Sequence, residues 1–176
     1  MLMVSFSSVE KDLILTFNSV HDRILQMNKK ELLEIFTQEL RKIDGGASVF
    51  EAHLSDPYIF KHSVHENVYP RYIYLDEVND FPLICFYVSQ ETRTHIGGGV
   101  KYANLLVNLR TYVNSEDPNE ETEDLIDDID HVIKYITQVQ PCFVECRVIS
   151  TSTDEGIMAP VGVGEMNIEM IYLLEE

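Results

Sequence analysis

The stretch from Phe81 to Val113 constrains this chain more than any other. It reads FPLICFYV, then a polar run SQETRTHI, then three glycines, then VKYANLLVNLRTYV. Ile84, Phe86 and Val88 alternate with Leu83, Cys85 and Tyr87, so the first arm is apolar on both faces and belongs inside a sheet. The return arm alternates cleanly. Ala103, Leu105, Val107, Leu109 and Val113 point one way, and Tyr102, Asn104, Asn108, Arg110 and Tyr112 the other, with Leu106 as the exception. Gly97, Gly98 and Gly99 permit the reversal, because glycine enters positive φ without steric cost. The base of this hairpin is core, whereas its tip, from Gln90 to Lys101, is too polar to bury. A hairpin that outruns its own core needs another surface to lean on. The pattern therefore predicts a contact with a neighbouring subunit through Glu91, Thr92, Arg93, Thr94, His95 and Lys101.

The remaining elements follow from periodicity and caps. Ser7 and Glu10 have capping-box spacing, and Leu13, Phe17, Val20 and Ile24 predict a helix over about Val9 to Gln26. Asn28 and Glu31 repeat the cap before Leu32, Phe36, Leu40 and Ile43, with Gly45-Gly46 as the stop. From Ala47 to Asp80, short apolar pieces broken by Asp56-Pro57, His62 to Asn67 and Pro70 predict two or three short strands or an excursion off the sheet. Asp117-Pro118-Asn119-Glu120 starts a third helix, whose buried stripe is Leu125, Ile129, Val132, Ile133 and Ile136. Two strands close the chain, with Val144, Cys146 and Val148 on one inward face and Met166, Ile168, Met170 and Tyr172 on the other. The fold class is α+β: helices packed on a mainly antiparallel sheet with a long hairpin.

At 176 residues the chain suits a single domain. No apolar run approaches the roughly 18–20 residues that span a bilayer, so no membrane partner is predicted. The N-terminus lacks the features of a secretion signal, and synthesis in the cytosol is the expectation. Three cysteines fit a reducing compartment. Cys142 and Cys146, read as one strand, stand about 13 Å apart, too far for one metal or a disulfide, and are expected as buried apolar side chains.

Catalytic constellations are not apparent. The glycine triplet lacks the helix N-terminus of a phosphate loop, and no nucleophile motif is present. His62, His65 and Glu66 lack the helical spacing of a zinc site and are expected as exposed loop groups; His95 and His131 have no identifiable partners. No catalytic residue, metal or cofactor is predicted, and the reading is a structural or interaction protein. A hydrolase assembled from His53, His95 and nearby carboxylates is the enzymatic alternative.

The formal charge of −17 opposes nucleic-acid binding through a basic patch. Nine of the 30 acidic residues lie between Glu116 and Asp130 with no lysine or arginine among them. At the helix start several complement the macrodipole, which describes a solvated, well-capped helix. The functional alternative makes Asp124, Asp127 and Asp128 an acidic face toward a channel or a partner. The loop STSTDEGIMAPVGVG carries an apolar tip, Ile157-Met158, with no core to join, so Asp154, Glu155, Ile157 and Met158 are predicted as a docking loop.

The helix KKELLEIFTQELRKI ending in Gly-Gly, the strand FPLICFYV, the return strand LLVNLRTYV, the acidic helix after Asp117-Pro118, and the order TSTDEG, APVG, EMNIEMIYLL together resemble the tail terminator (tail completion) proteins of tailed bacteriophages. The resemblance implies one tail-terminator-like domain over 1–176, with residues 1–27 as an N-terminal extension and 28–176 as the core. It implies a homohexameric ring that caps the tail tube, ends its elongation and offers a surface to a neck, sheath-terminator or connector protein. It also implies a virion location at the head-proximal end of the tail, assembly in the host cytoplasm, and genomic DNA passing through the channel without specific binding. A contractile-tail tube terminator, a sheath terminator and a siphophage version remain open at this point. The alternative from another class is a small acidic regulatory or inhibitor domain that binds a basic protein.

Overall fold

The computed structural model describes residues 27–48, 57–97 and 100–174. The predicted helix at about Val9 to Gln26, His53, and Gly98 and Gly99 lie outside the described residues. Helix α1 (Lys29–Leu40) starts as its cap predicts: Asn28 Oδ1 accepts from the Glu31 N–H at 3.0 Å, and the Glu31 carboxylate accepts from the Asn28 N–H in return. Its helical hydrogen bonding stops at Leu40, short of the glycines; the positive φ of 76° falls later, at Gly45, where the chain turns toward Ser63. Leu32, Phe36, Leu40 and Ile43 are fully buried.

The excursion supplies a short strand, β1 (Val68–Tyr69), and a single 3₁₀ turn at Leu75–Glu77. The hairpin is formed by β2 (Leu83–Gly97) and β3 (Val100–Asn114). Helix α2 (Pro118–Val139) follows, N-capped by Asp117, whose Oδ1 accepts from the Glu120 N–H, and it ends two residues before Pro141. Strands β4 (Glu145–Thr153) and β5 (Val161–Leu173) complete one five-stranded sheet in the order β1-β2-β3-β5-β4. β1 runs parallel to β2 and every other pairing is antiparallel, in agreement with the α+β class.

The two faces of the sheet differ. The inner face carries Ile84, Phe86, Ala103, Leu105, Val107, Leu109, Met166, Ile168, Met170 and Tyr172 into one core with α1 and α2. Phe36 meets Phe86 edge to face at 5.1 Å. On the outer face a smaller cluster of Ile73, Leu83, Cys85 and Tyr112 lies beneath the excursion, which explains why the start of β2 is apolar on both sides. The Tyr112 hydroxyl donates to the Ile73 carbonyl at 2.8 Å and ties the excursion down.

β3 is paired with β5 from Tyr102↔Leu173 to Asn114↔Val161, and Ala103, Leu105 and Val107 are fully buried, as the alternation predicts. Two expectations change. Cys142 sits in a turn after α2 rather than on a strand, because Pro141 reverses the chain there. It is still buried, and burial pushes its thiol up to about 11. Val144, expected inward, precedes the strand and is exposed.

Candidate functional site

The start of α2 is where the carboxylates, the predicted docking loop and the closing strand meet. β5 opens with Gly162 and Gly164, and the helix lies directly on them. A Cβ on Gly162 would stand 2.5 Å from the Pro118 carbonyl oxygen, and one on Gly164 would stand 2.8 Å from Thr122 Cγ2. Thr122 is fully buried and returns its hydroxyl to the Pro118 carbonyl at 2.6 Å. The acidic helix start is therefore fixed against the strand that leaves the docking loop.

The loop itself is organised by Asp154. Its Oδ2 accepts from the Met158 N–H and its Oδ1 from the Val163 N–H, each at 3.1 Å, while Ile157 N–H bonds the Asp154 carbonyl. Asp154 thus shapes the turn, with much of its hydrogen-bonding capacity used internally. Glu155 (φ 53°) and Gly156 (φ 76°) complete the reversal, and Gly156 rests near the Asn119 side chain. This arrangement leaves Ile157 86% exposed and Met158 49% exposed, as the sequence pattern predicts.

The acidic trio divides. Asp127 is exposed. Asp124 is half-buried and paired with the Lys61 ammonium. Asp128 is fully buried, so its assignment to a channel or partner face is wrong. Its carboxylate accepts from the Tyr58 hydroxyl at 2.9 Å, the His62 N–H at 3.0 Å, the Lys61 N–H at 3.2 Å and His62 Nδ1 at 3.1 Å. It is the anchor that fastens the 58–62 segment to α2. The signal was present in the sequence: Asp128 lies three residues after Leu125 and four before Val132, inside the apolar stripe.

His62 is consequently buried rather than exposed, held between Asp128 and Glu121, which its Nε2 meets at 2.8 Å. Burial favours its neutral form, but the two carboxylates outweigh it and raise its pKa above the ordinary histidine value. His131, expected to lack partners, bonds Ser48 Oγ at 2.9 Å and stacks on Tyr58 at 4.0 Å. Burial, followed by the nearby Lys134 charge, lowers its pKa. His65 is exposed and bonds Ser63 Oγ. Among the described residues no group of three His, Cys, Asp or Glu side chains is arranged to hold a metal.

At the hairpin tip, Thr92, Arg93, Thr94 and His95 are exposed and Lys101 is half-buried. Glu91 is braced from both sides within its own chain, by Lys29 at 2.9 Å and Arg93 at 2.5 Å. The Lys29 hydrogen bond is the main cause that lowers its pKa. The tip is thus pinned to the first turn of α1.

The site thus presents an exposed apolar loop beside an acidic helix start, with a braced hairpin tip elsewhere on the sheet. The chain belongs to the bacteriophage tail tube terminator protein family, which it matches over residues 49–176. It is 27% identical over 131 residues to the tail tube terminator protein p142 of Escherichia phage T5, covering 67% of this chain and 81% of that protein. The family match selects tube over sheath among the possibilities left open by the sequence. It begins after α1, so the helix counted in the resemblance lies outside the matched region. The protein is a structural component of the phage tail and not an enzyme.

Proposed function

We propose that this tail terminator acts as a six-membered ring seated on the last ring of the tail tube, where it ends elongation and presents its opposite face to a neck or connector protein. The observation that carries the reading is the Ile157-Met158 tip, two large apolar side chains held in solvent by a loop whose geometry Asp154 enforces. The tip stands beside Asn119 at the acidic start of α2, so the surface it offers is apolar with an acidic surround. That combination suits the end of a tube whose exposed contacts are apolar with basic neighbours.

The exposed carboxylates, Asp127 among them, remain available for a channel wall that repels DNA or for a basic partner; Asp128 does not. Assembly in the host cytoplasm, before the tail joins the head, completes the proposal. Tube protein polymerised with and without the purified chain tests it. The parent protein is expected to shorten tubes and to co-sediment with their ends as a species of several-fold monomer mass. Ile157→Asp with Met158→Asp should lose both effects while the melting temperature stays within about 2 °C, since exposed substitutions change stability by about 0.5 kcal/mol or less. Unaltered capping by the double variant overturns the role of the tip. A chain that stays monomeric and leaves tubes growing overturns the ring.

A further inference from the structure

The sheet has two edges, and they are guarded differently. β2 meets β1 only at Ile84 and Cys85, so among the described residues its farther length is one edge. There a bulge interrupts the ladder between Val88 and Gln90, and the charges of Glu91 and Arg93 sit on the strand. Bulges and charged side chains are the devices by which natural edge strands turn away a further strand. β4 forms the opposite edge, paired on one side with β5 and, among the described residues, with no strand on the other. Its second half, residues 149–153, reads ISTST: β-branched and hydroxyl side chains, uncharged in a chain of net charge −17. The bulge in β4 lies at the start of this run, between Val148 and Ser150, and the residue it inserts is apolar Ile149, 54% exposed.

The run is open to a neighbour on both faces. Thr151 pairs with Met166 and therefore lies on the face that carries α2, yet it is exposed. The helix start rests on Gly162 and Gly164 of β5 and leaves this edge uncovered. Ser150 and Ser152 lie on the other face and are exposed as well. Ser150 Oγ accepts from Asn167 Nδ2 at 2.9 Å and keeps its own proton to donate. The order of residues in the run identifies the occupant. A second copy of it, laid antiparallel about a two-fold axis at Thr151, sets Ser150 opposite Ser152, Ile149 opposite Thr153 and Thr151 opposite itself. No charge stands in any of these pairs, and opposed hydroxyl side chains stabilise neighbouring strands. Pairing to the β2 edge of another copy would instead meet Glu91 and Arg93.

We infer that two free copies of this chain join β4 to β4 through residues 149–153, in an antiparallel two-fold contact that makes their sheets continuous. Each strand supplies the backbone partners that the other lacks, and Ile149 is covered by the opposing Thr153. A two-fold contact is complete with two copies, so it closes the unguarded edge instead of propagating. The inference goes beyond the ring reading: it describes the chain before it meets a tube.

Sedimentation of the full-length chain without tube protein tests it, and a dimer is expected. Thr151→Lys sets two ammonium groups face to face and should weaken dimerisation at least tenfold, with unchanged circular dichroism because the position is exposed. Thr151→Glu should do the same, and an equimolar mixture of the T151K and T151E chains should recover the dimer. Oxidised T151C should give a covalent dimer and no higher species, since Cys85, Cys142 and Cys146 are all buried. T94C, exposed at the other edge, should stay monomeric on denaturing gels. A free chain of monomer mass, or one already of ring mass, overturns the inference. So does a T151K dimer as tight as the parent's, or a T151C chain that cross-links no faster than T94C. Capping is read separately, with tube protein present. A monomeric free chain that still caps tubes overturns the dimer and leaves the ring standing, whereas a dimer that never caps overturns the ring alone.

Discussion

Removal of the Asp128 carboxylate is the sharpest test of how the acidic helix is built. Asp128 has 0% exposure and serves four donor groups: the Tyr58 hydroxyl, the Lys61 and His62 main-chain N–H groups, and His62 Nδ1. In Asp128→Ala these donors lose their acceptor at once, and His62 retains only Glu121. Breaking one side of a buried charged pair costs about 3–5 kcal/mol, and each stranded buried donor about 1–3 kcal/mol, with overlap between the two. A total of about 4 kcal/mol corresponds to a fall in melting temperature of about 8–16 °C for a chain of this length. Asp128→Asn keeps one acceptor, best placed toward His62, but turns an NH₂ toward the remaining donors. Because charge-assisted bonds are about twice as strong as neutral ones, a loss of about 2 kcal/mol is expected. Asp127→Asn, one residue away and exposed, should shift stability by less than about 0.5 kcal/mol. Thermal unfolding followed by circular dichroism near pH 6 ranks the three variants. If Asp128→Ala melts within 2 °C of Asp127→Asn, the anchoring role is refuted.

Three further outcomes concern His62, His131 and Gly162. His62 holds its proton more tightly folded than unfolded, so its stabilisation is complete below about pH 6.5 and is lost as pH rises through the raised value. His62→Gln should therefore lower the melting temperature more at pH 6 than at pH 9; an equal loss at both would show that the imidazole acts only by packing. His131, with its lowered pKa, contributes the opposite slope, present above about pH 6.5 and eroded below it, so His131→Gln should flatten the acid side of the profile. Gly162→Ala places a methyl against the Pro118 carbonyl and Thr122, and should cost about 1–3 kcal/mol in denaturant titrations, against a negligible change for Gly46→Ala at a half-buried loop position.

Much of the architecture was legible because it rests on local rules. The Asn28–Glu31 and Asp117–Pro118 caps, the alternation in β3 and the stripe in α2 each depend on residues within a few positions of one another. The exposed Ile157-Met158 tip was also legible, since a turn rich in Asp and Gly cannot bury two apolar side chains by itself. What escaped depends on contacts between distant residues. Asp128 and His62 lie 66 positions apart, and Asp128 looked like one more carboxylate in an acidic run until Tyr58 and His62 were folded against it. Glu91 gave no local sign that Lys29, 62 positions before it, would brace it. Cys142 was placed on a strand for a related reason: the alternation carried through Pro141, where the chain instead turns.

The long pairing of β3 with β5 also has a mechanical meaning. Thirteen residue pairs, from Tyr102↔Leu173 to Asn114↔Val161, make a stiff double rod about 40 Å long. One end carries the Ile157-Met158 loop that precedes Val161, and the other carries the hairpin tip beyond Tyr102. Load applied along this rod is borne in shear by many hydrogen bonds at once, so it does not yield by unzipping from one end. A push at the loop is therefore delivered to the tip as displacement of a rigid lever.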